Sequence, residues 1–294
     1  MAKHRHNQGF TLIELSIVLV VIGLIVGGIL VGQNLIAAAG VRATVSQIEK
    51  YNTAANTFRE KYGYLPGDIP AVPAAQFGFI ARGTGEGGGD GNGLIEMNGT
   101  CCYGLGANGG EQLVFWVDLS TVGLIDGGFT TATFSAHPGS SAVVSLYLPQ
   151  AKLGNGNYIY VFSGGWADNS GTTSNGVNYY GLSNVLQFGG GGGYLSSNVG
   201  LTVAQAYAID GKIDDGMPLT GNTLAAFITG NNWTWPGVGW PNINIAPPTV
   251  AVTPAATSCF DNGGNTSNTM KYSVGYSNGS NVACGLTFKM QAGD

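Results

Sequence analysis

Few side chains in this sequence are equipped for chemistry, and they stand in four places. The first is Glu14, a lone carboxylate at the head of Leu15 to Val41, a stretch of 27 residues without a charge. A single carboxylate in an apolar span is costly to keep out of water and marks a functional position. The second place is Asp90, Asn92 and Glu96, which set oxygen ligands at positions 1, 3 and 7 of a glycine-rich turn and echo the opening of a calcium loop. The echo is incomplete, because Leu94 fills position 5 and no glutamate stands at position 12. An Asx-stabilised turn is the competing reading. The third place is Asp210, Asp214 and Asp215, the densest acidic cluster. Such carboxylates repel one another unless they are solvated, capped by backbone N–H groups or neutralised by a cation. The fourth is the cysteines Cys101, Cys102, Cys259 and Cys284, which allow three pairings. A bond between the adjacent Cys101 and Cys102 would be strained. Cys259 with Cys284 closes a loop of roughly 24 residues, worth ~3 kcal/mol in loop-closure entropy, and is the favoured pair. The partners of Cys101 and Cys102 stay open.

Catalytic patterns are weak by comparison. Gly275-Tyr276-Ser277-Asn278-Gly279 matches the G-x-S-x-G string of a nucleophile elbow, but that fold needs a histidine after the serine, and none follows Ser277. His137 is the one histidine beyond the first nine residues; there is no HExxH, no P-loop and no CxxC. The chain reads as a non-enzyme. Trp233, Trp235 and Trp240 fall within eight residues. Exposed, such rings stack on sugars and suggest a glycan-binding module; buried, they pack a loop-rich core or a subunit interface.

Composition narrows the class. Of the 294 residues, 9% are charged, against ~25% in an ordinary soluble domain. Fifty glycines and abundant Ser, Thr and Asn give a chain that solvates itself through hydroxyls, amides and backbone. That balance suits a β-rich, loop-rich exported protein, in which disulfides persist. The net charge is -5, with the basic residues scattered. This excludes a nucleic-acid footprint.

The elements that must position these groups begin with a long helix. Leu15 to Val41 exceeds the ~20 residues that span a bilayer, and Gly23, Gly27 and Gly28 allow close helix contacts. Val41, Val45, Ile48, Tyr51, Ala55, Phe58 and Tyr62 then step by three or four, one face of an amphipathic helix. Gly63 and Leu65-Pro66-Gly67-Asp68 end it. The expected organisation is a leader over 1–9, a helix over 10–62 (membrane-spanning to about 32, amphipathic over 33–62) and a globular head over 63–294. Within the head, Gln112–Val122 and Thr202–Asp210 read as helices. Val143–Leu148, Asn157–Ser163, Met270–Tyr276 and Leu286–Met290 read as strands, and the glycine runs 83–93 and 189–193 as loops. The fold class is α+β: a long N-terminal helix packed on a β-rich, glycine-rich head.

The apolar segment is too long for an ordinary secretory signal, whose hydrophobic region is ~7–15 residues, and neither that reading nor a plain anchor explains Glu14. The run Gly9-Phe10-Thr11-Leu12-Ile13-Glu14-Leu15-Ser16-Ile17-Val18-Leu19-Val20-Val21-Ile22-Gly23 closely resembles the N-terminal signal of type IV pilins and type II secretion pseudopilins. Tyr62-Gly63-Tyr64-Leu65-Pro66-Gly67-Asp68 resembles the helix-to-loop junction of pilin-like proteins. Ile213-Asp214-Asp215-Gly216-Met217-Pro218 with Gly221-Asn222 resembles their C-terminal acidic loop. The resemblance is strong over about residues 1–68 and patchy beyond. It implies cleavage by a prepilin peptidase after Gly9, N-methylation of Phe10, and a role for Glu14 in assembly, pairing with the Phe10 ammonium of a neighbouring subunit. It implies a single-pass inner-membrane protein with a periplasmic head, drawn from membrane lipid by an assembly platform into a periplasmic pseudopilus or an extracellular pilus of identical or homologous subunits. It also makes the Asp210, Asp214 and Asp215 loop a candidate for calcium, the one cofactor expected. A minor or tip subunit acting as an adhesin is the alternative.

Overall fold

The computed structural model describes residues 11–83, 85, 87–96, 109–134, 138–165, 174–188, 195–226 and 251–291. Gly9, Phe10, Cys101, Cys102, His137, Trp233, Trp235, Trp240 and the glycine run 189–193 lie outside the described residues.

Helix α1 spans Leu12–Tyr62. It ends where Gly63 takes a positive φ of 80° and its N–H bonds the Arg59 carbonyl at 2.8 Å, with Pro66 barring any return to helix. The chain divides into two compact units, residues 1–40 and 41–294. In the first, α1 carries apolar side chains on all sides, and those of Leu12 to Ile36 are exposed. Among the described residues this is one helix long and apolar enough to cross a membrane. A helix that is apolar all round needs lipid or other helices about it.

The second unit opens on the amphipathic part of α1. Val41, Val45, Ile48, Tyr51, Ala55 and Phe58 are all buried, so the three-to-four spacing marks the face that meets the head. Helix α2 (Ala71–Phe77) and helix α3 (Glu111–Thr121) follow. Residues 111–119 of α3 are buried on every side, and Trp116 meets Tyr51 of α1 edge-on at 5.0 Å between ring centres.

Among the described residues the main sheet is antiparallel and has six strands. Its central path runs β1 (Asn157–Gly165), β2 (Ser174–Phe188), β8 (Val282–Lys289) and β4 (Leu201–Thr202), with β3 (Leu195–Asn198) on β2 and β5 (Thr223–Ala226) on β8. Tyr180 stands opposite Val161 on one side and Phe288 on the other. Helix α4 (Val203–Ile213) starts on a capping box: Thr202 accepts from the Gln205 N–H at 3.1 Å while Gln205 accepts from the Thr202 N–H at 2.9 Å. A two-stranded ribbon pairs β6 (Phe260–Asp261) with β7 (Lys271–Tyr272). A disulfide joins Cys259, beside this ribbon, to Cys284 in β8, and both cysteines are fully buried.

Two expected strands differ. Val143–Leu148 is not a strand; a single 3-10 turn covers Val144–Leu146. Its buried residues are Val144 and Leu148, four apart, while Val143 and Leu146 are exposed, so burial follows a helical rather than an alternating step. Met270–Tyr276 shrinks to Lys271–Tyr272, because the N–H groups of Val274 and Tyr276 turn back to the carbonyls of Tyr272 and Ser273.

Candidate functional site

The N-terminal end of α1 is built by two side chains. Thr11 is the cap residue and Glu14 stands three positions on. The Thr11 N–H and the Thr11 hydroxyl each donate to Glu14 Oε2 at 2.8 Å, and the Glu14 N–H donates to Thr11 Oγ1 at 3.3 Å. The Thr11 carbonyl accepts the first helical bond, from Leu15 at 3.2 Å. This reciprocal arrangement satisfies N–H groups that a helix start otherwise leaves unpaired. Thr11-Leu12-Ile13-Glu14 is the T-x-x-E signature of a capping box. That pattern was available in the sequence and identifies Thr11, a residue the reading of Glu14 alone overlooks.

In the head the calcium-like turn is assembled differently from its sequence spacing. Asn92 spends its side chain locally: Nδ2 donates to Asp90 Oδ2 at 3.2 Å and to Glu96 Oε2 at 2.8 Å, and Oδ1 accepts from the Leu94 N–H at 2.7 Å. The Asp90, Asn92, Glu96 trio is thus an Asx-type turn. Asp90 gathers instead with Asp68 and Glu111, whose carboxylate oxygens come within 4.8 Å of one another. Asp68 lies just past the end of α1 and Glu111 opens α3; both are buried. Asp68 accepts the N–H groups of Gly91 and Gly93 at 2.7 and 2.8 Å, and Glu111 those of Gly89 and Glu96 at 2.9 and 2.8 Å. Two carboxylates from separate elements therefore pin the glycine-rich strap 89–96. Burial, against the pull of the Gly93 and Gly91 N–H bonds, pushes Asp68 up to about 7. Glu111 is raised well above the usual carboxylate range by burial and then by the charge of Asp68. Beside them Asp118 accepts from Gly67 N at 2.7 Å and from Arg82 Nη2 at 2.8 Å, a fully buried ion pair.

The second acidic group keeps the membership its sequence suggests. Oxygens of Asp210, Asp214 and Asp215 also lie within 4.8 Å of one another. Asp210, on α4, accepts the Tyr272 hydroxyl at 2.7 Å and the Gly216 N–H at 3.2 Å, and burial pushes it up to about 7. Asp214 accepts the N–H groups of Asn222 and Thr223, the latter at 3.0 Å. Asp215 accepts the Met217 N–H at 2.8 Å and the Thr220 hydroxyl at 2.6 Å. Calcium–oxygen bonds of ~2.3–2.6 Å place a shared ion's ligands up to about 5 Å apart, so both groups fit a cation by spacing. In both, local donors already occupy the carboxylates, which satisfies the capping reading as well.

Ser277 of the G-x-S-x-G string lies in a 3-10 turn, Ser277–Gly279, between β7 and β8 rather than at a strand-to-helix elbow.

Against known proteins, residues 4–30 match the prokaryotic N-terminal methylation motif, the prepilin-type signal of type IV pilins and pseudopilins. That match covers the leader from His4 on, the junction after Gly9, Thr11, Glu14 and the first part of α1. The motif implies processing by prepilin peptidase and assembly with other pilin subunits. No curated protein and no solved structure matches the chain.

Proposed function

We propose that this chain is a structural subunit of a type IV pilus-like or type II secretion pseudopilus filament. A prepilin peptidase cuts after Gly9, Phe10 becomes the methylated N-terminus, and the apolar part of α1 passes from the inner membrane into the filament core. The head faces the periplasm and stays outside that core. One observation carries the reading: the methylation motif over 4–30 sits on a helix that is apolar on every side and opens with one carboxylate. In a bundle of such helices Glu14 meets the Phe10 ammonium of a neighbour. Two buried charges that are paired cost far less than either alone.

The test is a pair of variants in cells that assemble the filament. Gly9→Ala leaves the uncut precursor on a gel. Glu14→Ala is cut normally but yields no filaments; abundant normal filaments in that variant would sink the proposal. Loss of enzyme secretion in a deletion strain, as opposed to loss of surface fibres, separates a pseudopilus from a pilus.

For the head we propose calcium at the Asp210, Asp214 and Asp215 turn. Support comes from the convergence of three carboxylate oxygens within 4.8 Å of one another. A rise in the head's melting temperature with millimolar calcium, lost in Asp215→Asn, is the expected result; no rise removes the assignment.

A further inference from the structure

We propose that Asn155–Gly156 is a site of spontaneous covalent change: the glycine amide cyclises onto the asparagine side chain and leaves an aspartyl or isoaspartyl residue at 155. The step needs only the folded head and is independent of the filament reading.

The chemistry is open to any Asn-Gly step. The glycine nitrogen attacks Cγ of the asparagine. The N–Cγ bond forms, the Cγ–Nδ2 bond breaks, and the amide proton leaves with Nδ2 as ammonia. Water then opens the cyclic imide. Opening at Cγ gives aspartate; opening at the backbone carbonyl gives isoaspartate, with the chain routed through Cβ. Nothing is oxidised or reduced. Glycine favours the attack because no Cβ blocks the approach.

The sequence holds seven Asn-Gly steps, and the fold separates them. The side chains of four are described: Asn92, Asn155, Asn262 and Asn278. Asn92 is engaged with Asp90 and Glu96, and the Gly93 N–H donates to Asp68 Oδ2 at 2.8 Å. Asn262 is buried, and the Gly263 N–H donates to Asp261 Oδ1 at 2.9 Å. In both, the attacking nitrogen is held by a carboxylate.

Asn155 and Asn278 form a matched pair. Both are exposed, at φ 55° and 53°, and the glycines that follow stand at 71° and 66°. Among the described residues neither side chain has a hydrogen bond. They differ at the nucleophile. The Gly279 N–H donates to the Tyr276 carbonyl at 2.9 Å, and Gly279 packs on α4, where a Cβ would lie 3.0 Å from the Ala204 nitrogen. The Gly156 N–H has no partner among the described residues. Attack requires Asn155 to rotate out of the left-handed region, which relieves strain instead of adding it.

Either product puts a carboxylate where the chain had a neutral amide. The isoaspartyl form also adds a backbone carbon to the turn. The Gly154 carbonyl accepts the N–H and Nδ2 of Asn157 at 3.0 and 2.9 Å, and the Gly156 carbonyl accepts the Val185 N–H at 3.1 Å. These bonds tie the start of β1 to β2, and a lengthened turn does not keep their spacing.

The experiment ages the full-length chain in detergent at mildly alkaline pH and follows each asparagine by peptide mass, with isoaspartyl residues detected by enzymatic methyl transfer. Asn155 is expected to show the amide-to-acid mass gain about fivefold or more faster than Asn278, the scale of one backbone hydrogen bond that must first break. Asn92 and Asn262 stay behind both. In urea, which frees every amide, the rates at Asn155 and Asn278 converge. Equal or slower change at Asn155 in the folded chain overturns the proposal. A difference that persists in urea also overturns it, because local sequence would then set the rate. So does a product at 155 without isoaspartate, or an equal mass gain there in Asn155→Gln, since either would mean direct hydrolysis without the ring.

Discussion

Asp68 and Glu111 are buried carboxylates that hold the strap 89–96 through backbone N–H groups, and among the described residues no cationic side chain bonds to either. Asp68 stands at about 7 in the folded head, above the ordinary value of 3.8. A group raised on folding stabilises the protonated fold. Its contribution is complete below the unfolded value and is lost as pH rises through about 7. Glu111 and Asp210 are shifted in the same direction. Head stability in chelator, followed by urea denaturation, is therefore expected to decline as pH rises through about 7. Asp68→Asn flattens that decline, and calcium flattens it too if a cation is held there, because it favours the charged forms. A slope that is unchanged in Asp68→Asn would mean that the strap is held without a proton. Little of this was legible beforehand. Asp90, Asn92 and Glu96 share a local spacing, and local spacing reports turns. Asp68 reaches the strap at Gly91 across 23 residues of sequence, and Glu111 reaches it at Gly89 and Glu96 across 22 and 15, through contacts that only the packed head creates. The capping box at Thr11 was legible, because both partners lie within one helical turn.

The elements show the same divide. Helix α1, α3 and α4 follow from 3.6-residue apolar spacing with Gly and Thr at their ends, and β1 from its run of β-branched and aromatic residues, buried on both faces from Ile159 to Ser163. The longest strand, β2, escaped because SNGVNYYGLSNVLQF carries Gly, Asn and Ser through its interior. Its reason lies across the sheet. Gly181 stands opposite Tyr160, and a Cβ there would come within 1.8 Å of the Tyr160 ring. That ring is held by the Ser183 hydroxyl at 3.0 Å and by Phe162 at 6.2 Å between centres. It cannot swing aside freely in a close-packed interior. Gly181→Ala is expected to destabilise the head by about 1–3 kcal/mol through overpacking, read as a lower denaturation midpoint at unchanged slope. Gly67→Ala meets a different obstacle. The backbone there has a φ of +85°, and a Cβ would lie 2.5 Å from the Glu111 carbonyl oxygen. Backbone strain adds to the clash, on the order of 1–3 kcal/mol, and the Gly67 N–H that caps Asp118 is displaced with it. A neutral outcome at either glycine would show that the junction or the sheet yields where the packing says it does not.

At the scale of the whole molecule, the two units call for different surroundings, and the boundary follows from burial rather than from helix continuity. The apolar side chains of α1 are exposed up to Ile36, whereas Val41 and Val45 are buried in the head. The first side chain that α1 commits to the head core is Val41. Everything the head needs for its own core lies beyond that point, including the face Val41 to Phe58, the six-stranded sheet and the Cys259–Cys284 bond. A fragment over 41–294 should therefore fold as a soluble monomer without detergent. Its thermal midpoint should match that of the detergent-held full chain to within a few degrees, because the buried core cluster of the head begins at Val41. Reduction is the control. Breaking the disulfide removes a loop-closure contribution of ~3 kcal/mol and should lower the midpoint of fragment and full chain equally. Cutting at Glu49 instead removes Val41, Val45 and Ile48, of which Ile48 is 2% exposed. Burial of an apolar side chain is worth ~1.5–3 kcal/mol, so that shorter fragment should be markedly less stable or insoluble. A fragment over 41–294 that aggregates while the full chain stays folded in detergent would show that the head depends on the membrane-side half of α1, and the division at Val41 would fail.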